Sequence, residues 1–468
     1  METPEFSAGT TPTERFLFKL CRKSFLQLWS YANVFRDQGK TGAGDGKELC
    51  DVIVICDDAV ILFSDKCCAF PETGNLDVDW RRWYRRAVVA SQRQLAGAER
   101  WIKEFPDRVY SDQRCTQKLH VPLPARDRMR VFKVAVARGA AERCQSLYPG
   151  GSGSLIQMKL EPSEQSDMGI EPGAKPFTVP LCSNEGTIVH VVDDVTLPVL
   201  LRELDTISDF VEYLETKEQI IKQDRSIVVA GEEELMGLYL GARAGLLDSL
   251  QDLSGEMLMV PEGIYADIIN QAEYHSYVSE NRSSYFWDDL ISHHTKCYFD
   301  STLIEGSSKT VAENEAVLKI LAQESRVHRR LLANAYLNLM AKAPRDEITS
   351  RTVTIGDDKI YVFQVNPQMG RDFAEYQRMR QNFLHQYCFL TGWRNRGKKL
   401  VVGMTTDGGN PSNDGFCIMA RAFDEWTPGM VAAGEALYQE MATDVSRSPK
   451  SGTMESIHTA PWEDDTFI

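Results

Sequence analysis

The sequence predicts an α/β domain, a mixed sheet flanked by helices, followed by a largely helical α+β domain. Three observations support this class. Two strand-like runs, VIVI at 52–55 and AVILF at 59–63, lie between segments of helical period. Residues 149–186 then lose apolar periodicity and fill with Gly, Pro, Ser and Glu. Beyond them helical patterns dominate, interrupted by a few strands. At 468 residues the chain exceeds one ordinary core, so two or three domains are expected.

Taken in order, residues 1–12 read as a tail and 13–148 as the α/β domain. An amphipathic helix is expected over 13–36, with Phe16, Leu20, Phe25 and Leu28 among its apolar positions. A glycine-rich turn, DQGKTGAGDGK, leads into the apolar hairpin. Residues 78–104 carry a long helical pattern that stops before Pro106, and RVFKVAVARG at 130–139 is a strand. Residues 149–186 are expected to be a linker or long loop.

A helix-rich α+β domain is expected over 187–445. It opens on the strand TIVHVV and continues through helices near 199–222, 231–249 and 311–342. A hairpin with a Gly-Asp turn follows in TVTIGDDKIYVFQV, then a helix at 371–390 and the strand KKLVVGMTT. Residues 446–468 read as an unstructured tail.

Composition narrows the function classes. The chain is 43% hydrophobic, 25% charged and 9% aromatic, with net charge −15 and a pI near 5.2. Proteins that coat nucleic acid are usually basic, so an enzyme with one local basic groove fits this charge better than a passive phosphate binder. No apolar run reaches the roughly 18 residues of a membrane span. The first residues show no basic stretch followed by an apolar one, so the expected location is cytoplasmic. The 11 cysteines are scattered without a CxxC pair, which favours reduced core thiols over a disulfide framework or structural zinc.

The hairpin carries the chemistry. Hydrolysis of a phosphodiester with a divalent ion needs carboxylates to hold Mg²⁺, a lysine near the attacking water or the phosphate, and a cationic wall for the backbone. Asp51 precedes the first run, and Lys66 ends the second. Val60, Leu62, Ser64 and Lys66 share one strand face; Ile61, Phe63 and Asp65 share the other. A tight turn would bring Asp51 within reach of Lys66.

In the following helix Trp83, Ala87, Ala90, Gln94, Gly97 and Trp101 form a stripe expected to face the sheet. Gln94 is thereby a buried amide in need of partners. Arg82, Arg86, Arg93 and Arg100 form a second row, a basic ridge on an acidic chain.

Residues 13–104, less than a quarter of the chain, resemble the PD-(D/E)xK (restriction-endonuclease-like) nuclease superfamily, especially its recombination-type branch. Glu14 in the first helix, Asp51, Ser64-Asp65-Lys66 and Gln94 stand in that family's order. The resemblance implies a restriction-endonuclease-like fold and an Mg²⁺- or Mn²⁺-dependent nuclease. Asp51, Ser64, Lys66 and Gln94 would hold the catalytic positions, and DNA rather than RNA would be the substrate.

Ser64 departs from the pattern, because an acid is usual two residues before the lysine. Glu48, Glu72 or Glu14 could supply that carboxylate, as could Asp65 if a bulge shifts the parity. Metal ligands are thus expected among Asp51, Asp65, Glu48 and Glu14, and phosphate contacts among Arg82, Arg86 and Arg93. A defence or repair role is the expectation for such an enzyme. Two alternatives stand beside it. One is a catalytically silent scaffold that binds nucleic acid or a partner protein. The other is a sensor or interaction protein acting through residues 187–445, with a homo-oligomer or a partner protein contacting that half.

Overall fold

A computed structural model describes residues 8–42, 44–160, 173–182, 187–242, 257–300, 311–344, 346–367, 372–407 and 417–443. The fold is mixed α/β, with mixed sheets flanked by helices, and the chain divides into two compact units between Ser279 and Glu280.

In the first unit α1 (Pro12–Phe25) starts on a capping box in which Thr11 and Glu14 satisfy each other's backbone N–H groups. It ends at Leu26, whose φ of 65° turns the chain out of the helix. The meander β1 (Ser30–Arg36), β2 (Lys47–Cys56) and β3 (Ala59–Cys67) follows, β2 and β3 being joined through Asp57 at φ 55°. The expected helix over 13–36 is therefore a helix and a strand. Tyr31, Ala32, Asn33 and Val34 are all buried, as a strand inside a sheet requires and one face of a helix cannot provide.

Next come α2 (Leu76–Tyr84) and α3 (Ala90–Glu104), joined by one wide π-type turn at Arg85–Val89. That turn holds one more residue than an α turn and moves the buried face on by one position. Beyond it Ser91, Leu95, Ala98 and Ile102 are buried, where Ala90, Gln94, Gly97 and Trp101 were expected. Of that expected set Trp101 stays buried, and Gln94 is half-buried at the margin.

β4 (Val109–Tyr110) pairs with β1, and β5 (Arg130–Arg138) lies parallel to β3. After α4 (Ala141–Leu147) come β6 (Ile156–Lys159), β7 (Thr178–Pro180) and β8 (His190–Val192). β8 is parallel to β5 and completes a sheet of order β4-β1-β2-β3-β5-β8. A second sheet of order β10-β9-β6-β7 adds β9 (Ile227–Val229) and β10 (Leu258–Val260).

Residues 149–186 thus supply two strands rather than a linker, and 161–172 and 183–186 lie outside the described residues. The boundary expected there moves to Ser279 because β8 belongs to the first sheet and the second joins strands inside the segment to strands beyond it. The short apolar clusters LIQM and FTVP held that signal amid the surrounding glycines.

Helices α5 (Thr196–Glu203), α6 (Ile207–Lys222), α7 (Glu232–Ala242), α8 (Ile264–Ile269) and α9 (Ala272–Glu280) complete this region. Phe25 of α1, Phe63 of β3 and Phe210 of α6 meet at centroid distances of 5.1 to 6.4 Å and tie the first sheet to α6.

The second unit contains α10 (Tyr285–Phe299), α11 (Val311–Ala322), α12 (Arg326–Lys342), β11 (Thr349–Ile355), β12 (Lys359–Asn366), α13 (Phe373–Arg394), β13 (Leu400–Asp407), β14 (Cys417–Ala422) and α14 (Pro428–Thr443). Its sheet runs β11-β12-β13-β14, with β12 and β13 parallel and the outer pairs antiparallel. The rings of Tyr361 and Phe363 pack on Trp287 of α10 and Tyr336 of α12. On the other face Val362 and Val401 pack with Leu384, Tyr387 and Cys388 of α13. The tail expected at 446–468 lies outside the described residues.

A candidate active site at the open end of the first hairpin

The β2–β3 ladder runs from Cys56↔Ala59 to Val52↔Phe63 and stops there. Beyond it the Asp51 carboxylate takes over as acceptor. Its Oδ2 receives the backbone N–H of Asp65 at 2.5 Å and lies 3.9 Å from Nζ of Lys66. Asp51 is buried and Lys66 about one-third exposed, so the pair joins the interior to solvent. Burial pushes the Asp51 carboxyl up to about 6. Lys66 and the Asp65 N–H oppose that rise, while the charges of Glu48 and Glu14 add to it.

β1 organises those two glutamates. Val34 pairs with Cys50 and Phe35 with Glu48, so Leu49 is an extra residue and the strand bulges. Next to the bulge Asn33 adopts φ 49°, and its Nδ2 lies 3.3 Å from Glu48 Oε1 and 3.4 Å from Glu14 Oε2. Glu14 is fixed by the capping box, where Oε2 accepts from the N–H groups of Thr10 and Thr11. Burial raises the Glu14 carboxyl, and these hydrogen bonds outweigh it and hold the group below its ordinary value. Thr11→Ala removes half of the box. We expect it to cost about 1 kcal/mol in urea denaturation, the usual effect of deleting an N-cap side chain.

Ser64, fully buried, turns to α3. Its hydroxyl donates to Gln94 Oε1 at 3.1 Å and lies 3.3 Å from Ser91 Oγ, which in turn donates to Ala87 O. Gln94 and the hairpin end therefore do converge, through Ser64. Asp65 points the other way. Its Oδ1 accepts from Arg138 Nε at 2.9 Å, and both side chains are buried. Burial raises the Asp65 carboxyl and Arg138 opposes the rise. Asp65 is thus the counterion of a buried arginine rather than an open carboxylate.

Glu72 is exposed in the segment between β3 and α2. Arg82, Arg86 and Arg93 are exposed, and Arg86 donates to Ala69 O. Arg86 lies in the wide turn at 85–89, whose extra residue shifts Arg93 out of the helical phase that aligned it with Arg82 and Arg86.

The donor set left for a cation is Asp51, Glu48 and Glu14; Asp51 meets the Lys66 ammonium, and Asn33 lies against both glutamates. Their fit rests on charge: a buried carboxylate already burdened by two neighbours is relieved by a divalent ion. Their oxygens stand farther apart than those of Glu233, Glu234 and Glu262, the one trio among the described residues with ligand atoms within 4.8 Å of one another. Both oxygens of Glu234 in that trio already accept N–H groups of Gly263 and Tyr265.

Sequence reasoning missed Asn33, Ser91 and Arg138. Asn33 was hidden inside the presumed helix; the alternation in SYANVFR was its only signal. Ser91 became visible only once the buried stripe moved by one residue.

No protein-family model, curated protein or solved structure matches the chain. No helix among the described residues is long and apolar enough to cross a membrane.

Proposed function

We propose that the first unit is a metal-dependent phosphodiesterase acting on nucleic acid, DNA in preference to RNA, in a cytoplasmic defence or repair setting. The observation that carries the reading is the buried Asp51 carboxylate, paired with Lys66 where the strands part and set among Glu14 and Glu48. Asp51 and Glu48, with Glu14, would hold Mg²⁺ or Mn²⁺. That ion supplies Lewis acidity at the phosphate and acidifies bound water. Lys66 offsets charge that develops on the phosphate. Gln94 positions the hairpin end by accepting the Ser64 hydroxyl, and Arg82, Arg86 and Arg93 engage backbone phosphates.

A specific observation favours a second reading, a catalytically silent nucleic-acid or partner-binding scaffold. Ser64 stands where the resembled family carries an acid, and its hydroxyl is consumed by Gln94 and Ser91.

Supercoiled plasmid and a matched RNA, each incubated with Mg²⁺ or Mn²⁺, separate these readings. We expect nicking of DNA that falls about 100-fold or more in both Asp51→Ala and Lys66→Ala. Activity that persists in both variants sinks the proposal, and metal-independent binding without cleavage supports the scaffold. The pH dependence is a further check. Protons compete with metal for Asp51, so apparent Mn²⁺ affinity should hold above the value of about 6. It should fall about tenfold per pH unit below that value.

A further inference from the structure

In the second unit the parallel strands β12 and β13 are joined by α13, and their side chains alternate toward that helix. Val362 and Val401 pack on Leu384 and Cys388 of α13. A Cβ on Gly403 would meet Cys388 Sγ at 2.4 Å, which places that position on the same face. Two and four residues further on, this face carries Gln364 and Asn366 on β12, and Thr405 and Asp407 on β13. The helix changes in step. Its sheet-facing stripe reads Tyr387, Leu384, Arg380, Gln377 and Tyr376 toward its N-terminus, from apolar to polar.

The polar layer is buried but incompletely paired. Tyr376 OH and Arg380 Nη1 donate to Asp407 Oδ1 at 2.8 and 2.6 Å, and Asn366 Nδ2 donates to Thr405 Oγ1 at 2.5 Å. Among the described residues no partner meets either end of Gln364 or Gln377, Oδ1 of Asn366, or Nε and Nη2 of Arg380. Gln364 and Arg380 are 0% exposed, Asn366 2% and Gln377 3%. Buried polar groups are almost always hydrogen-bonded, and a core needing only to be filled would hold leucine here. The layer lies at the carboxyl ends of two parallel strands, where open α/β sheets take their ligands.

We propose that this layer is a binding site for a nucleobase-type ligand, a planar uncharged heterocycle with adjacent hydrogen-bond donors and acceptors. Charge is the first argument. Arg380 is the one cation of the layer and Asp407 matches it, so neither a bare phosphate nor a metal ion finds an uncompensated partner. The atoms left over are the second argument. Two whole primary amides, one further carbonyl oxygen and two guanidinium nitrogens offer both signs of hydrogen bond at once. An amide side chain meets a base edge with two such bonds. The site lies in the second unit and is independent of the nuclease reading.

The test is calorimetric titration of the full chain with adenosine, guanosine, cytidine and uridine, their 5′-monophosphates, and inorganic phosphate, alongside thermal melts. We expect one base, with or without its sugar phosphate, to bind and to raise a melting transition by several degrees. Equal binding of nucleoside and nucleotide makes the base the recognised part; tighter nucleotide binding adds a phosphate contact to the same base site. Gln364→Leu and Gln377→Leu should each abolish binding and still melt at or above the wild-type temperature, since each removes an unpaired buried amide. Three results would overturn the proposal: no nucleoside or nucleotide binds; phosphate alone reproduces the effect; or binding survives both leucine variants. A leucine variant that fails to fold or melts well below wild type would also overturn it, because the amides would then be paired within the protein.

Discussion

Replacing Asp51 by asparagine is expected to abolish metal-dependent cleavage and to stabilise the first unit at neutral pH. The two effects share one cause. In the folded chain the carboxyl is pushed from 3.8 up to about 6 by burial, against the help of Lys66 and the Asp65 N–H. Holding it ionised at pH 7.5 therefore costs about 3 kcal/mol relative to the unfolded chain. An asparagine still accepts the Asp65 N–H through Oδ1. It gives up the Lys66 contact, which at 3.9 Å from a part-exposed ammonium contributes under about 1 kcal/mol.

The sign follows from linkage. A carboxyl whose pKa is raised by folding carries its full penalty above the folded value and none below the unfolded one. The advantage of Asp51→Asn should accordingly be greatest above pH 6 and fade as pH falls toward 4, as read from urea midpoints across that range. Mn²⁺ should raise the wild-type midpoint and leave the variant unmoved, because the ion removes the same penalty. A variant less stable than wild type at pH 7.5 would show that the carboxylate is not a burden that function has to justify.

How much of this was legible in the sequence depended on whether a signal was local. The hairpin was readable because β2 and β3 are both buried runs joined by a two-aspartate turn. Strand parity put Lys66 and Ser64 on one face, and the tight turn was expected to bring Asp51 within reach of the lysine. β1 was not readable, because its residues continue the apolar spacing of α1, and Leu26, in a conformation no propensity announces, and one short turn at Gln27–Trp29 separate them. Gln94 was foreseen as an amide facing the sheet and in need of partners, yet the stripe that placed it was one residue out. A single wide turn resets the period without any glycine or proline to mark it. Arg138 lay beyond local reading altogether: its tie to Asp65 spans 73 positions and exists only because β5 lies parallel to β3. The second unit's polar layer was hidden likewise. Gln364 and Gln377 sit in sequences that read as an ordinary strand and helix, and only their burial makes them unusual.

Arg138→Met is expected to be among the most damaging single changes in the first unit, and its rescue separates two roles for Asp65. The guanidinium is 7% exposed and the carboxylate it meets is 0% exposed. Removing one partner of a buried ion pair leaves an uncompensated charge, at a cost of about 3–5 kcal/mol. The Asp65 carboxyl is already raised with the arginine present, so without it the folded protein should favour the protonated acid further. The loss in Arg138→Met should thus be largest at neutral pH and shrink as acid neutralises Asp65, in the same direction as for Asp51. Adding Asp65→Leu removes the stranded charge and fills the space with apolar atoms, so the double variant should recover most of the lost stability, as buried pairs replaced by hydrocarbon commonly do. Its backbone keeps the residue 65 N–H that Asp51 accepts. If Asp65 serves Arg138 alone, the double variant binds Mn²⁺ and nicks plasmid as wild type does. Cleavage lost while stability returns would instead make Asp65 a ligand of the ion, and the arginine the group that holds it in reserve.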